Sequence, residues 1–476
     1  MMAQKPLSEP FQEIVEIDQA SNVVATYIKS ASGEKGERID LVIPKNTNSY
    51  AKIVLNAFLP AGYPHSVTSD YLEYQIYDSL QAFSSSIAVM LTSRAVLEGI
   101  GVGDSDASPT AALLLSVLQQ SMGRIATILF AHRLGTSLEP ECKMYRLLAD
   151  ILNDSAMLLD CVSPAFPKSM RVVVYSMSSI LRSLCGVAAG SSKASLSAHF
   201  ATQGNLGELN AKDSSQETVI SLCGMLVGSI VVSYITSKRT TWTALVFLLA
   251  IHLGTNYLAV RAVCMRSINR QRANLIFANV IDQIALHENE KGESILTGRK
   301  LDRKVLKTVN WPKPEWVMLQ EKVFERDGVL RWNGRILGHC KLGVDLRTIM
   351  KCFQSGNAIT GSHVNPISST LTELFSLFKD EKYIICYDKP SKTFLVVLDE
   401  DAETRHILSA WMFALCFAKE EMGKEGKMTE SIERTTAFVR SIEKDIFHGL
   451  EEAGWNLTLG AMETKSGVRI RRPGTV

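Results

Sequence analysis

The longest uncharged stretches of the chain lie near its middle. Residues 219–237 form a run of 19 residues without a charge, and residues 240–260 form a run of 21 in which only His252 can become charged near neutral pH. A helix of around 20 apolar residues spans the roughly 30 Å of hydrocarbon in a bilayer. The two runs therefore predict two membrane-spanning helices, in which a lone His252 is expected to be a hydrogen-bonded core residue.

Four further apolar segments precede these runs and carry polar interruptions. They are residues 79–93, residues 108–131 with Arg124, residues 147–162 with Asp150, Asp154 and Asp160, and residues 172–181. Six such segments predict a mainly α fold, built as a multi-pass membrane bundle of about six helices. The alternative is that the same segments form the buried all-α core of a soluble protein.

The two ends of the chain show soluble patterns. Residues 22–30 and 38–43 alternate apolar and polar around a turn at 32–36, which predicts a strand-rich cap over 1–58. Towards the other end, turn signals at 327–328 and 333–334, a hairpin pattern over 382–388 and 393–399, and amphipathic helices near 404–421 and 430–452 predict an α+β domain over 311–476. Gly454 is the expected C-cap of the last helix. The predicted membrane domain covers 59–265, and an Arg-rich helix and linker covers 266–310.

Charge and cysteine usage narrow the function classes. The 51 basic and 49 acidic residues leave a net charge of +2, which does not favour nucleic acid as a partner. The nine cysteines include no Cys-x-x-Cys pair and none at metal-ligand spacing from a histidine, so we expect no metal and a reducing environment. The amino-terminal residues lack the apolar core of a signal peptide. Insertion into a membrane is therefore expected to depend on the internal segments.

The cations in the predicted loops favour one orientation. Nine lie on the side that follows the last apolar run, and five lie on the opposite side, next to three acids. Because cytoplasmic loops carry the excess of lysine and arginine, this bias predicts that both termini are cytoplasmic, in an intracellular membrane. The nine are Arg133, Lys143, Arg146, Lys193, Lys212, Arg261, Arg266, Arg270 and Arg272.

The third apolar segment carries the most informative polar residues. Arg146, Asp150, Asn153 and Asp154 follow Lys143 at helical spacing and share one face. Carboxylates within a membrane are costly, and they usually face a polar interior where they mark a substrate or proton path. The structural alternative is an i, i+4 pair of Arg146 and Asp150 near the interface.

Two further places offer polar groups near apolar helices. Arg124 lies in the middle of the second segment and needs a partner, for which we expect Asp150 or Asp154. In residues 211–218, Ser214 and Glu217 match a capping box, which would place a helix start there. The functional interpretation of that stretch is a polar mouth lined by Lys212, Gln216 and Glu217.

Small residues predict close helix packing at two sites. Gly186 and Gly190 form one G-x-x-x-G motif, and Gly224 and Gly228 form another. The glycine-rich segment 99–103 does not match a nucleotide-binding loop and is expected to join two helices. No Ser-His-Asp or Cys-His arrangement can be defended, so we expect no catalytic residues, no cofactor and no enzyme activity.

Long blocks of the sequence resemble a known family. Residues 59–83, 99–103, 146–154, 211–218 and 256–262 are similar, in order and spacing, to the signature blocks of the root UVB sensitive (RUS) proteins. The likeness spans roughly 55–270 and is weaker in the last third, where it rests on Gly454 and Trp455. It implies a membrane protein linked in plants to ultraviolet-B responses and vitamin B6 homeostasis, whose members act as partners of one another. It implies no catalytic residues.

These observations lead to two hypotheses of different class. The first is a transporter, or transporter subunit, for a small polar solute such as a B6 vitamer, completed by a homodimer or a heterodimer with another RUS protein. The second is a membrane-anchored scaffold in which the domain at 300–476 recruits partners. Both place the chain in a lipid bilayer.

Overall fold

The computed structural model describes residues 13–17, 23–31, 37–42, 58–100, 109–235, 237–289, 303–352, 367–421 and 428–472. The chain divides into two compact units. One comprises Met1–Leu91 and Leu196–Thr255, and the other comprises Thr92–Ser195 and Asn256–Val476. Both units draw on the helical region predicted for 59–265, and the predicted domain boundaries stay a prediction.

Among the described residues, six long helices follow one another in the middle of the chain, so the mainly helical fold is confirmed. They are α1 (Tyr71–Ile100), α2 (Pro109–Leu134), α3 (Cys142–Val162), α4 (Lys168–Phe200), α5 (Leu206–Tyr234) and α6 (Lys238–Ala262). Short 3₁₀ turns at Gly135–Ser137 and Ser163–Ala165 flank α3. Each helix extends beyond its apolar segment at one end or at both, because serine, alanine and other tolerated residues continue the helix past the strongly apolar core. Helix α5 ends at Tyr234, before the end of its uncharged run at residue 237.

Among the residues that the structure describes, five helices are long and apolar enough to cross a membrane. These candidate spans are Tyr71–Leu97, Leu113–Ser137, Ser169–Phe200, Leu206–Tyr234 and Lys238–Ala262. Helix α3 has sufficient length, with 21 residues, but is not in this group. Its charged side chains separate it from the other five. The prediction of about six apolar spans is thus reduced to five candidates and one charged helix.

The capping box predicted at Ser214 and Glu217 is wrong. Helix α5 begins at Leu206 after Asn205, and the main-chain N–H of Leu209 already donates to the Asn205 carbonyl at 2.9 Å. Ser214 therefore lies two turns inside the helix, where its carbonyl accepts a hydrogen bond from the Thr218 hydroxyl at 2.8 Å. The physical reason is that residues 206–213 include good helix formers, so the helix starts before the apolar run does.

The amino-terminal cap is a three-stranded antiparallel sheet in the order β1-β2-β3. Its strands are β1 (Glu13–Ile17), β2 (Val23–Ala31) and β3 (Glu37–Val42). The predicted hairpin is confirmed as β2 and β3, paired from Ala31 opposite Glu37 to Thr26 opposite Val42. The first strand was not predicted, because five residues are too short for a clear alternation. The turn predicted at 32–36 lies outside the described residues.

The carboxy-terminal fold combines a mixed sheet with helices. Its strands are β4 (Val329–Trp332), β5 (Arg335–Leu342), β6 (Tyr383–Asp388), β7 (Thr393–Asp399) and β8 (Arg469–Ile470), and the main order is β4-β5-β7-β6 with β8 beside β7. The predicted turn at 333–334 is confirmed, since Asn333 and Gly334 both have positive φ, at 44° and 83°. The hairpin of β6 and β7 is confirmed as well.

Seven helices of the described residues accompany this sheet. They are α7 (Arg270–Asn289), α8 (Arg303–Leu306), α9 (Pro314–Gln320), α10 (Leu346–Cys352), α11 (Ile367–Leu377), α12 (Thr404–Glu421) and α13 (Met428–Glu452). The last two match the predicted amphipathic helices. Gly454 has φ 99°, and the Trp455 N–H donates to the Leu450 carbonyl at 3.0 Å, so the predicted C-cap is confirmed.

Helix α7, from the segment expected to be an Arg-rich helix and linker, belongs to the core of this fold. Ala273, Ile276, Phe277 and Val280 are fully buried in the cluster that α12 and the sheet also build. The Trp411 indole N–H of α12 donates to Asn274 Oδ1 of α7 at 2.9 Å. The segment was expected to be a helix and linker that joins two domains. Its helix is present, but Arg270 and Arg272 are buried at the helix start and its apolar face packs in the core.

Candidate functional site

The charged face of α3 is buried. Lys143, Arg146, Asp150 and Asp154 lie one above another at intervals of three or four residues, and each is at most 8% exposed. Asn153 is half-buried beside them. We call the four charged residues, together with Asp160 near the end of the helix, the α3 polar column. Burying this many ionisable groups in one helix is costly unless the fold supplies partners for them.

At the amino end of the column, Lys143 is held by a carboxylate from the carboxy-terminal fold. Its Nζ lies 2.7 Å from Glu321 Oε2, and Arg272 Nε donates to Glu321 Oε1 at 2.9 Å. Burial by itself raises the pKa of Glu321, but Arg272 and Lys143 outweigh it and lower that pKa to about 2. The carboxylate therefore stays ionised between two cations.

In the middle of the column, α6 contributes an asparagine. The Asn256 amide donates to Asp150 Oδ2 and also to the Arg146 main-chain carbonyl, the latter at 3.2 Å. Asn256 is fully buried. It was not predicted as a site residue, although it begins one of the blocks that carry the family resemblance. An asparagine inside an otherwise apolar run was the signal that could have found it.

At the carboxy end, the column meets α4. Arg182 Nη2 lies 2.5 Å from Asp160 Oδ2, with the aspartate buried and the arginine partly exposed. The exposed side of Arg182 leaves this ion pair less enclosed by the chain than the pair at the amino end. The column thus contacts the carboxy-terminal fold, α6 and α4 in turn.

The other compact unit holds buried polar pairs that the sequence analysis missed. Gln75 Nε2 donates to Asp213 Oδ1 at 2.8 Å, and His199 Nε2 lies 3.0 Å from Asp70 Oδ2. His252 is buried as expected, and its Nε2 lies 3.5 Å from the Gln81 amide. The signal was the spacing of polar residues along α1, which falls within the first block of the family resemblance.

Arg124 does not have the partner that we expected. Its side chain is exposed on α2, and among the described residues it forms no ion pair with Asp150 or Asp154. The expectation was wrong because it assumed that a charge in an apolar helix must face inward. The exposed apolar side chains around it, including Ile125 and Ile128, show that this face of α2 contacts little of the chain.

The three residues of the predicted polar mouth differ in burial. Gln216 is buried and donates from Nε2 to the Phe58 carbonyl at 2.6 Å. Lys212 is half-buried, and Glu217 is exposed. Gln216 is thus the buried member of the three, and the mouth as a shared lining of all three stays a prediction.

The two glycine motifs differ in their surroundings. A Cβ on Gly224 would lie 2.7 Å from Ser86 Cβ, and one on Gly228 would lie 3.2 Å from Ile87 Cα, so α5 lies close against α1 at both positions. A Cβ on Gly186 or Gly190 would meet nothing within 4 Å. Among the described residues, Gly186 and Gly190 therefore mark no close helix approach, although Ala188 between them is buried in a cluster with Tyr145 and Ala149 of α3.

This difference leads to a prediction for matched variants. Gly224→Ala should lower the free energy of unfolding by about 1–3 kcal/mol, because the added methyl group overlaps Ser86. Gly186→Ala should leave it unchanged or raise it slightly, since alanine favours the helix and has room. Thermal unfolding of the purified full chain in detergent measures both. Equal melting temperatures for the two variants would contradict the close approach of α5 to α1.

Metal ligands are not clustered in the described part of the chain. No group of three or more histidine, cysteine, aspartate or glutamate side chains there could hold a metal ion. The nine cysteines are all free. The candidate site is the α3 polar column, in which Lys143 contacts Glu321, Asp150 contacts Asn256 and Asp160 contacts Arg182.

The chain is similar in sequence to a known family model and to several named proteins. A family model described as a vitamin B6 photo-protection and homoeostasis domain matches residues 44–283, half of the chain. RUS family member 1 of Dictyostelium discoideum is 42% identical over 270 residues, which cover 56% of this chain and 51% of that protein. Root UVB sensitive 3 of Arabidopsis thaliana is 28% identical over 421 residues, covering 87% of this chain and 86% of that protein.

Root UVB sensitive 2 of Arabidopsis thaliana, which is named as chloroplastic, is 25% identical over 361 residues, covering 76% of this chain and 72% of that protein. No solved structure matches the chain. The matched residues include α1 to α6 and most of α7, and therefore the whole of the α3 polar column. On these matches the chain belongs to the root UVB sensitive family.

Proposed function

We propose that the protein is a multi-pass membrane protein that moves a small polar solute along the α3 polar column. The observation that carries the proposal is the burial of Lys143, Arg146, Asp150 and Asp154 on one helix whose chain neighbours are apolar enough to span a bilayer. Charged side chains at such positions usually belong to a solute or proton path. Both termini are cytoplasmic in this proposal, as the loop cations favour.

The class of solute follows from the family. The matching family model carries the description of vitamin B6 homoeostasis, so a B6 vitamer is the first solute to test. Such a solute is small and polar, and it can exchange hydrogen bonds with carboxylates and an amide as it passes. Asp150, Asp154 and Asn256 would make these contacts. The protein would act by binding and translocation and would need no catalytic residues.

Uptake into proteoliposomes tests the proposal. In the full chain carrying Asp150→Asn and Asp154→Asn together, initial uptake of labelled pyridoxine should fall at least ~10-fold, which corresponds to about 1.4 kcal/mol. The substitutions keep the size of each side chain and remove its charge. Glu433→Gln is the matched control, because Glu433 is exposed on α13 and lies far along the chain from the column. Unchanged uptake in the double variant would sink the proposed path.

Deletion of residues 300–476 would remove the domain that recruits partners in the competing scaffold hypothesis, but it does not separate the two hypotheses. That deletion also removes Glu321, which leaves Lys143 and Arg272 buried without their carboxylate. The loss of function would then be expected under either hypothesis. The double aspartate variant separates them, because a scaffold whose helices only anchor it should keep binding its partners and supporting growth.

A further inference from the structure

A cleft lies at the amino end of α3, beside the polar column. Its volume is about 140 Å³, roughly that of five water molecules in the liquid. The end of α2, the start of α3 and the start of α7 line it, together with the loop before β4 and residues near the carboxy end. Four of the lining side chains are cationic and three are acidic, namely Arg133, Arg270, Arg326 and Lys465, and Glu141, Glu325 and Asp327.

Two of the three acids are already neutralised. Asp327 is bonded by Arg270, accepts a hydrogen bond from the Thr464 hydroxyl at 3.0 Å, and lies 4.0 Å from Lys465 Nζ. Glu325 accepts two hydrogen bonds from Arg331, at 3.1 and 3.0 Å, and Arg331 lies outside the cleft lining. Because Arg331 lies outside the cleft, its positive charge offsets the negative charge of Glu325 and leaves the cations of the cleft unpaired by it.

The third acid, Glu141, is only partly ionised at neutral pH. Burial raises its pKa to about 7, although the positive charge of Arg272 opposes the rise. Its nearest hydrogen-bond donor is the Asn269 amide at 3.3 Å. The other charged groups that face it are Glu321, Arg270 and Glu325. At neutral pH, Glu141 therefore contributes at most part of a negative charge.

Two of the cations are left for a ligand. Among the described residues, Arg133 and Arg326 form no ion pair and no side-chain hydrogen bond with the rest of the chain, and both are exposed to solvent at the cleft. Guanidinium groups present donors in a fork that fits a phosphate bidentately. Arg270 belongs to the same lining and is itself largely buried.

We propose that this cleft binds a phosphate group, held by Arg133 and Arg326 with the buried Arg270 behind them. The volume of about 140 Å³ suits a phosphate monoester head. The phosphate can belong to a soluble compound or to a lipid headgroup. This binding does not require the transport function proposed above, and it is measured without uptake.

Calorimetric titration of inorganic phosphate into the full chain, held in phosphatidylcholine nanodiscs, tests the site. The dissociation constant should rise at least ~10-fold in Arg133→Gln plus Arg326→Gln, since the anion then loses its charge-assisted hydrogen bonds to both guanidinium groups. Arg335→Gln is the matched control, because it removes an exposed arginine of β5 that does not line the cleft. Equal affinity of the double variant and the native chain would overturn the proposal.

A second arm separates the two sources of phosphate. Nanodiscs containing phosphatidic acid should weaken binding of added phosphate in the native chain if the headgroup occupies the cleft, and should leave it unchanged if the site takes soluble compounds. Either result supports a phosphate site, provided that the double variant loses the binding. No phosphate binding in neutral nanodiscs and no retention of phosphatidic acid by the native chain would overturn it.

The pH dependence provides an independent check. Sulfate is the suitable probe, because it remains a dianion across the range. Its affinity should rise ~5-fold as the pH falls from 8 to 6, since protonation of Glu141 removes a negative charge beside the anion. Glu141→Gln should abolish this dependence. A pH dependence that persists in the variant would contradict the placement of Glu141 at the site.

Discussion

Glu321→Ala should lower the free energy of unfolding by about 3–5 kcal/mol, because the substitution leaves two buried cations without their carboxylate. Lys143 of α3 and Arg272 of α7 both lie within 3 Å of this side chain, and Arg272 is 2% exposed. The melting temperature of the purified chain should fall by roughly 6–10 °C at about 2 °C per kcal/mol. Scanning fluorimetry in detergent measures this change.

The matched control for this prediction is Glu315→Ala. Glu315 is exposed in the first turn of α9, and it forms no ion pair among the described residues. Its removal should change the melting temperature by no more than about 1 °C. Equal shifts for the two variants would contradict the role of Glu321 as the shared partner of Lys143 and Arg272.

The low pKa of Glu321 gives the same contact a pH signature. Its pKa in the folded chain is about 2 and its ordinary value is 4.5. A lowered pKa means that the stabilisation is fully present above pH 4.5 and is lost as the pH falls from 4.5 towards 2. The native chain should therefore lose more stability than Glu321→Ala over this acid range. Parallel pH profiles for the two proteins would contradict the assignment.

Trp411→Ala should have a similarly large effect, lowering the free energy of unfolding by about 3–5 kcal/mol. Trp411 is fully buried, and it packs in the cluster that joins α7, α12 and the sheet. The substitution leaves a large cavity. It also removes the indole N–H of Trp411, which donates a hydrogen bond to Asn274 Oδ1 at 2.9 Å. Urea or thermal unfolding of the full chain, followed by circular dichroism, measures the loss.

Trp316→Ala is the matched control for Trp411→Ala. Trp316 lies on α9 and is only half-buried at the edge of the same cluster. Its truncation should cost less than half as much free energy, because solvent can fill the space that it leaves. A larger loss for Trp316→Ala than for Trp411→Ala would show that the core is not centred on α7 and α12.

The secondary structure of the carboxy-terminal fold could be predicted because its signals are local. Asn333 and Gly334 demand a tight turn, and Gly454 ends a helix, whatever the rest of the chain does. The pairing of β5 with β7 in parallel could not be predicted, since it joins Cys340 to Phe394 across 54 residues. The burial of α7 was missed for the same reason, because its partners lie far along the chain.

In the candidate site, too, the local arrangement could be predicted from the sequence and the contacts between distant residues could not. Helical spacing alone placed Lys143, Arg146, Asp150 and Asp154 on one face. Their partners could not be read from the sequence, since Glu321 is 178 residues from Lys143 and Asn256 is 106 residues from Asp150. The error over Arg124 has another physical origin. Hydropathy reports how apolar a helix is, but it does not report which of its faces the rest of the chain covers.

Membrane topology tests the central claim most directly. Single cysteines at Glu139, Ser169, Gly207, Ser237 and Arg266, all exposed beside the ends of the helices, would be labelled in sealed membranes of a chain whose native cysteines are replaced. We expect the protein to remain in the membrane after carbonate extraction, with Glu139, Gly207 and Arg266 on the cytoplasmic side and Ser169 and Ser237 on the other. Labelling of Glu139 and Ser169 from the same side, or release of the chain into the soluble fraction, would contradict a polar column that crosses the bilayer.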